Sequence, residues 1–166
     1  MIIAITGTPG VGKSIVAKKV CKMIRYNYFD LNGVIKKKKL YDSYDRKRKS
    51  FVVDIAKLKK KIKVEENTIF DGHLSHFLKS DKVFVLRCAP NVLAKRLGNK
   101  RWSEKKIEEN LEAELIGVIA TESRERHKKV YDIDTTRKSP SGVARLIANV
   151  IKNRSQGSRK IIDWIK

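Results

Sequence analysis

The strongest chemical signal in the chain is a glycine-rich stretch near its beginning, Gly-Thr-Pro-Gly-Val-Gly-Lys-Ser at residues 7–14. It matches the phosphate-loop pattern G-x-x-x-x-G-K-[ST] without a mismatch. In such a loop, successive backbone N–H groups and the N-terminus of the next helix surround an anion. Lys13 would add a full positive charge beside the outer phosphates, and the Ser14 hydroxyl would bind Mg²⁺. The stretch therefore predicts a site for a nucleoside triphosphate with magnesium.

The segments on either side of this stretch are the ones that the motif requires. Residues 1–6 form a short apolar run, which is typical of a buried parallel strand. Residues 15–24 carry apolar side chains at helical spacing, with lysines between them. A chance glycine turn before a core helix is the alternative, but it does not account for the preceding strand.

The third predicted strand, at residues 67–71, ends in a carboxylate, and a histidine follows it. Asp71 ends this predicted strand, so it is a candidate second ligand for the magnesium ion, directly or through a water. An ordinary turn aspartate is the alternative. His73 lies two residues further on, at the same predicted sheet edge, and is a candidate to orient an attacking water. A structural histidine is an equally good interpretation of His73.

The rest of the chain alternates predicted strands and helices. Strands are predicted at 26–31, 67–71, 82–87 and 130–134, and helices at 55–62, 90–97, 103–127 and from 139 onward. Asp54 and Ser103 are predicted helix N-caps. We therefore predict an α/β fold, with a parallel sheet of about five strands covered by helices on both faces, in a single domain of residues 1–166. The tail at 154–166 holds an apolar cluster that could dock on the domain or on a partner.

The composition is strongly basic, with 39 Lys and Arg against 18 Asp and Glu and a net charge of +21. Such an excess favours an acidic partner, nucleic acid or a ribonucleoprotein first. A lysine-rich proteome or adaptation to heat or salt is the alternative. Cys21 and Cys88 are expected to be reduced core thiols. No run approaches the length of a membrane span, and with no room for a leader before the first strand we expect a cytoplasmic protein.

The reaction class follows partly by elimination. Residues 99–102 read Asn-Lys-Arg-Trp, which is not the guanine-reading motif of signalling GTPases, and the chain is too short for a helicase. A small phosphotransferase remains, and it needs an acceptor pocket after the second strand and a cationic flap near the phosphates. Residues 36–44 are candidates for the pocket, although basic runs with interleaved tyrosines also bind nucleic acid or form a solvated surface. Arg96, Lys100 and Arg101 are candidates for the flap.

Five short blocks occur together in this chain: residues 7–14, Leu-Tyr-Asp-Ser-Tyr-Asp at 40–45, Asp-Gly-His at 71–73, Val-Leu-Arg at 85–87 and Ser-Glu-Lys-Lys-Ile-Glu-Glu-Asn at 103–110. In this order they resemble the archaeal and nuclear atypical adenylate kinases (isoenzyme 6 type, also described as a coilin-interacting nuclear ATPase). The resemblance covers residues 1–150. The first block is common to many families, whereas the blocks at 40–45 and 103–106 are specific.

The resemblance implies a P-loop NTPase fold of the nucleoside monophosphate kinase type and an adenylate kinase reaction, in which ATP and AMP give two ADP with Mg²⁺. It also implies ATPase activity and a role in small ribosomal subunit maturation. The implied partners are ribosomal protein uS11 and pre-small-subunit rRNA.

The resemblance further implies an acceptor-binding segment at 30–53 and a short lid at 99–109. Its acceptor-binding residues would be Asp30, Lys36, Tyr41 and Tyr44. Its ATP-binding residues would be Gly10, Gly12, Lys13, Ser14, Ile15 and Lys100. The catalytic set would be Lys13, Asp71, His73 and Arg101, with Ser14 and Asp71 on the metal.

Two positions depart from the family pattern. Lys36 and Lys100 stand where arginines are common, and lysine keeps the charge but lacks the planar two-pronged fork. Arg101 is expected to take over the lid role, shifted by one residue. We expect these two departures to lower AMP phosphorylation more than ATP hydrolysis. The alternative function is therefore a nucleotide-gated ATPase that binds uS11 or rRNA, with incidental AMP kinase activity; a small-metabolite kinase rests on fold analogy alone.

Overall fold

The computed structural model describes residues 1–166, and its strands form one large sheet and one small hairpin. In chain order the strands are β1 (Ile2–Thr6), β2 (Asn27–Asp30), β3 (Ser43–Asp45), β4 (Ser50–Val52), β5 (Thr68–Asp71), β6 (Lys82–Arg87) and β7 (Val130–Asp134). Five of them form a sheet in the order β2-β5-β1-β6-β7, and every neighbouring pair is parallel. Strands β3 and β4 pair antiparallel outside this sheet. The predicted five-stranded parallel sheet is confirmed.

Helices connect the strands and cover both faces of the sheet. They are α1 (Lys13–Ile24), α2 (Leu31–Lys37), α3 (Ile55–Lys61), α4 (Pro90–Gly98), α5 (Glu104–Ile116), α6 (Val118–Arg126) and α7 (Pro140–Ile151), with a 3-10 turn at Ser75–Phe77. No helix is both long and apolar enough to cross a bilayer.

The core divides according to the alternation of side chains along the central strand. Ile3 and Ile5 of β1 are fully buried in the larger cluster, with residues of α1, α4 and α7. Ala4 points to the opposite face and packs with Ala120 of α6. A third cluster, centred on Leu58 and Phe70, packs α2 and α3 against β5. Because successive strand residues face opposite ways, the apolar runs of β1 and β6 are buried on both sides.

The predicted helix at 103–127 is wrong, because the structure has two helices there. Gly117 has φ 70°, in the left-handed region, so it ends α5, and α6 begins at Val118. A glycine adopts this conformation without the Cβ clash that other residues meet. The apolar spacing continues on both sides of Gly117, which is why the sequence pattern did not separate the helices.

The polar stretch after β2 is more structured than its composition indicates. It contains α2, whose N-cap Asp30 accepts a hydrogen bond from the Gly33 N–H at 2.9 Å, and the β3–β4 hairpin. Asp54 and Ser103 cap α3 and α5 as predicted. The tail docks on the domain itself, through Ile162 and Trp164.

Candidate active site

The loop after β1 has a backbone that favours glycine at three positions, Gly7, Gly10 and Gly12. A side chain at Gly7 (φ 138°) would collide with the Leu86 carbonyl oxygen, so β6 and the loop pack in direct contact. Gly12 has φ 98° and is the N-cap of α1, with no side-chain cap. The first N–H groups of α1 therefore have no side-chain acceptor, and the positive end of the helix dipole faces the loop. This arrangement is suited to binding an anion.

Lys13, the first residue of α1, is buried and folds back onto the loop. Its Nζ donates to the Thr8 carbonyl oxygen at 2.9 Å. Burial lowers the pKa of the Lys13 ammonium to about 8, against the opposing attraction of Asp71, and Lys100 lowers the pKa further. A bound phosphate would favour the charged form. Lys13 is thus held inside the loop, beside the place where the motif predicts phosphate.

Asp71 lies at the carboxyl end of β5, in register with Ile5 of β1, so it shares an edge with the loop. It is buried, and its Oδ2 accepts a hydrogen bond from the Tyr28 hydroxyl at 2.7 Å. Its Oδ1 is buried with no hydrogen-bond partner. A buried carboxylate oxygen without a donor is costly unless a cation or water completes it. Oxygen is also the ligand that Mg²⁺ prefers, so Asp71 and the exposed Ser14 hydroxyl fit that ion.

Tyr28 of β2 belongs to this edge, although sequence reasoning missed it. Burial raises the pKa of its hydroxyl, as does the hydrogen bond to Asp71, so the phenol stays neutral and donates. A hydrogen bond with the Ser14 side chain acts in the opposite direction and lowers the pKa of the same Tyr28 hydroxyl. A tyrosine in an ordinary strand carries no local signal of such a contact, since 43 positions separate it from Asp71.

The histidines after β5 differ from one another. His73 is exposed, yet the protein atoms packed around its ring and the charge of Lys13 lower its pKa, so it is neutral at pH 7. His76 is buried, with its Nδ1 atom 3.1 Å from the Thr6 hydroxyl oxygen and its Nε2 atom 3.0 Å from Glu122 Oε2. His73 therefore faces solvent near Lys13, while His76 is a structural residue.

Three of the four predicted acceptor residues lie around one aromatic ring. Tyr41 and Tyr44 have ring centroids 4.3 and 5.2 Å from that of Phe51 in β4. The Lys36 Nζ lies 5.8 Å from the same ring. Asp30 stands apart, because its carboxylate caps α2. The segment thus presents a lysine and three aromatic rings together.

The predicted lid is short, and two of its lysines lie against one aromatic ring. Lys100 and Lys106 place their Nζ atoms 5.1 and 4.3 Å from the centroid of the Trp102 ring. Arg101 is exposed, as is Ile15 of the predicted ATP-binding set. Arg96, the third flap candidate, lies in α4, and its Nη2 donates to the Thr135 carbonyl at 3.1 Å.

The sheet order, the phosphate loop and the carboxyl-edge carboxylate define the P-loop kinase fold, and two solved structures share it. Shikimate kinase from Acinetobacter baumannii, in complex with shikimate, aligns with a TM-score of 0.63 at 14% identity, over 93% of this chain and 94% of that one. The YorR protein of Bacillus subtilis, in complex with phosphorylated GDP, aligns with a TM-score of 0.59 at 19% identity, over 96% and 100%.

Proteins related in sequence identify the family within this fold. A family model described as "AAA domain" matches residues 3–117. Proteins described as "Putative adenylate kinase" are 38% identical in Thermococcus kodakarensis and Methanocaldococcus jannaschii, over 99% of this chain and 93% of each relative. The one in Pyrococcus furiosus is 39% identical over 100% and 92%. The chain belongs to this adenylate kinase-like family of AAA-domain proteins.

Proposed function

We propose that this protein is an adenylate kinase, which transfers the terminal phosphoryl group of ATP to AMP. The observation that carries the proposal is the placement of the buried Lys13 ammonium and the unpartnered oxygen of Asp71 at the same sheet edge. The archaeal relatives support the same activity by their descriptions. The coarser activity, that of a nucleoside monophosphate kinase, rests on the same family membership.

On the ATP side, the backbone from Gly10 to Gly12 and the start of α1 would surround the phosphates. Lys13 would leave the Thr8 carbonyl and neutralise the outer phosphates. Ser14 and Asp71 would hold Mg²⁺, which neutralises developing phosphate charge when bound. Ile15 and Lys100 complete the proposed ATP-binding set.

On the acceptor side, Lys36 would bind the AMP phosphate, and Tyr41 and Tyr44 would flank the adenine. The aromatic cluster around Phe51 supports this assignment, because aromatic faces stack on bases. Asp30 would act indirectly, by capping α2 beneath Lys36. Arg101 in the lid would approach the transferred group.

The chemistry asks for positioning and charge rather than a base. An oxygen of the AMP phosphate attacks the terminal phosphorus of ATP, the bond from that phosphorus to the bridging oxygen breaks, and two ADP result. The attacking oxygen is already anionic, so no proton has to be removed. Lys13 and Arg101 would stabilise the negative charge that spreads over the transferred group.

The direct test is ADP production from Mg-ATP with and without AMP, with Lys13→Ala as the blank. We expect AMP to accelerate ADP formation strongly, with two ADP appearing for each AMP consumed. A slow rate that ignores AMP would contradict the proposal and favour a nucleotide-gated ATPase.

ATP hydrolysis is the proposed secondary activity, with His73 orienting the water. The exposed, neutral imidazole near Lys13 supports this role. His73→Ala should lower hydrolysis by about tenfold while AMP phosphorylation is little changed. Unchanged rates in both reactions would remove His73 from the mechanism.

We further propose a role in small ribosomal subunit maturation, with contacts to rRNA and uS11, in the cytoplasm. The supporting observation is a cavity of about 740 Å³ at the amino end of the strands. Its rim carries Lys59, Lys79, Arg126, Lys128 and Lys129 against one acidic residue. Cations around an apolar floor are suited to RNA phosphate and base contacts.

Binding of a labelled single-stranded RNA should weaken steeply as salt rises. Lys128→Glu/Lys129→Glu should weaken it further, whereas Lys95→Glu/Lys138→Glu, with the same charge change elsewhere, should have less effect. Equal losses in the two double variants would argue against this cavity, and salt-independent binding would favour contacts through protein.

A further inference from the structure

A carboxylate that the proposed chemistry does not use lies directly behind the phosphate loop. Glu114 of α5 is buried, and its two oxygens accept four hydrogen bonds. Oε2 accepts from the Thr8 hydroxyl at 2.7 Å, and Oε1 accepts from Arg87 Nε at 2.7 Å, the Cys88 N–H at 3.1 Å and Trp164 Nε1 at 3.0 Å. The loop, β6, α5 and the tail therefore meet at one carboxylate.

The tail is held next to this carboxylate by contacts with the domain. We call residues 161–165 the tail segment. The Arg87 guanidinium donates through Nη1 to the Ile162 carbonyl at 2.9 Å, and the Ile162 N–H donates to Asp132 Oδ2 at 3.0 Å. The Trp164 ring lies 5.8 Å from the Arg87 guanidinium carbon. Backbone hydrogen bonds, the cation–π contact and the indole N–H thus fix the tail segment against α5, β6 and β7.

A single residue of the phosphate loop, Thr8, links the Glu114 carboxylate to Lys13. Thr8 donates its hydroxyl to Glu114, and its carbonyl accepts the Lys13 ammonium at 2.9 Å. Thr8 is itself buried, so these bonds lie out of solvent. A continuous chain of hydrogen bonds therefore joins Trp164, Glu114, Thr8 and Lys13.

We propose that Glu114 is a positioning residue for the phosphate loop, and that docking of Trp164 tunes ATP binding through it. Trp164 supplies one of the donors that fix the orientation of the Glu114 carboxylate, and that carboxylate fixes the loop at Thr8. Removing a donor from a buried carboxylate leaves it less well held, and buried networks transmit such losses to their other members. The proposal rests on the proposed function only in requiring an ATP site at the loop.

The first test is Trp164→Phe, which keeps most of the ring and removes the indole N–H. We expect the Kd for Mg-ADP and the KM for ATP to rise by about threefold to tenfold, while the KM for AMP stays unchanged. Ile165→Ala, an exposed neighbour in the tail segment, is the matched control and should change neither. A Trp164→Phe protein with unchanged nucleotide affinity would overturn the proposal.

The second test separates coupling from simple stabilisation. Trp164 and Thr8 do not need to touch for their effects on Mg-ADP binding to be linked, because Glu114 lies between them. In a double-mutant cycle with Thr8→Val, the double variant should bind little more weakly than Thr8→Val alone. Additive losses would show that the tail segment acts independently of the loop. Mg-ADP affinity by calorimetry needs no acceptor, so the result stands whether or not AMP is the true acceptor.

Discussion

The two halves of the proposed active site are built in opposite ways. At the phosphate edge, Lys13 and Asp71 are buried, and Asp71 is held by a partner 43 positions away in the chain. Around the β3–β4 hairpin, most side chains are exposed or half-buried. Surface hydrogen bonds link the hairpin to α5. Arg48 Nε donates to Glu109 Oε2 at 3.3 Å, and Lys106 Nζ donates to the Lys49 carbonyl oxygen at 3.4 Å.

The difference indicates that the two halves of the proposed site have different roles in binding and in phosphoryl transfer. Buried charged groups that already lie at the binding edge lose little freedom when ATP arrives, so the phosphate edge is preorganised. Exposed contacts of the hairpin are worth little individually and can be exchanged as a ligand enters. The phosphate edge would therefore set the rate of phosphoryl transfer, and the hairpin would set affinity for the acceptor.

The largest effect is expected where the phosphate edge depends on a buried ion pair. Glu114→Ala would leave the Arg87 guanidinium buried without this partner, so the free energy of unfolding should fall by about 3–5 kcal/mol. Arg48→Ala in the hairpin should leave the free energy of unfolding nearly unchanged, because its ion pairs are exposed. Denaturant titration of both variants measures the contrast, and equal losses would refute it.

A large effect on rate is expected from Asp71→Asn, which keeps the shape of the side chain and an acceptor for Tyr28. Without the carboxylate charge at the proposed metal site, kcat should fall by about 100-fold, with a higher Mg²⁺ requirement. Steady-state rates across a magnesium titration measure both. A variant with normal magnesium dependence would place the metal elsewhere.

A moderate effect follows from the pKa of Lys13, which is about 8. ATP binding favours the ammonium, so above pH 8 the loop must take up a proton to bind. Since the lysine is neutral there in the free protein, the Kd for ATP should rise by about tenfold per pH unit above pH 8. Calorimetry from pH 7 to 9.5 measures this. Lys13→Met should bind weakly with a flat profile, and a flat profile in the unaltered protein would mean that Lys13 stays charged.

The smallest effect is expected in the acceptor half. Lys36→Arg would restore a planar fork that binds phosphate through two bonds, and the KM for AMP should fall by about threefold. Lys37→Arg, the next exposed lysine on α2, is the control and should leave the KM unchanged. An equal response in both variants would assign the effect to general charge rather than to Lys36.

Much of the phosphate edge could be predicted because its signals are local. The apolar runs of β1, β5 and β6 and the glycine spacing are continuous in sequence, and Asp71 is the last residue of its strand. Parallel strands bring their carboxyl ends to one edge, so the meeting of Asp71 with the loop follows from the fold class.

The contacts that complete this edge could not be predicted, because they join distant residues. Tyr28 meets Asp71 across 43 positions, Trp164 meets Glu114 across 50, and Thr8 meets Glu114 across 106. None of these residues differs locally from an ordinary strand, helix or tail residue. The hairpin was missed for another reason, since its three-residue strands lie among lysines without an apolar alternation.

The most direct measurement follows the terminal phosphate of ATP with a label. The protein is given Mg-ATP labelled at the terminal phosphorus together with unlabelled AMP, and the products are separated. We predict that the label appears chiefly in ADP, at the terminal phosphate of newly formed molecules, and that Lys13→Ala forms none. Label found chiefly in inorganic phosphate, at a rate independent of AMP, would contradict the account and make the protein an ATPase.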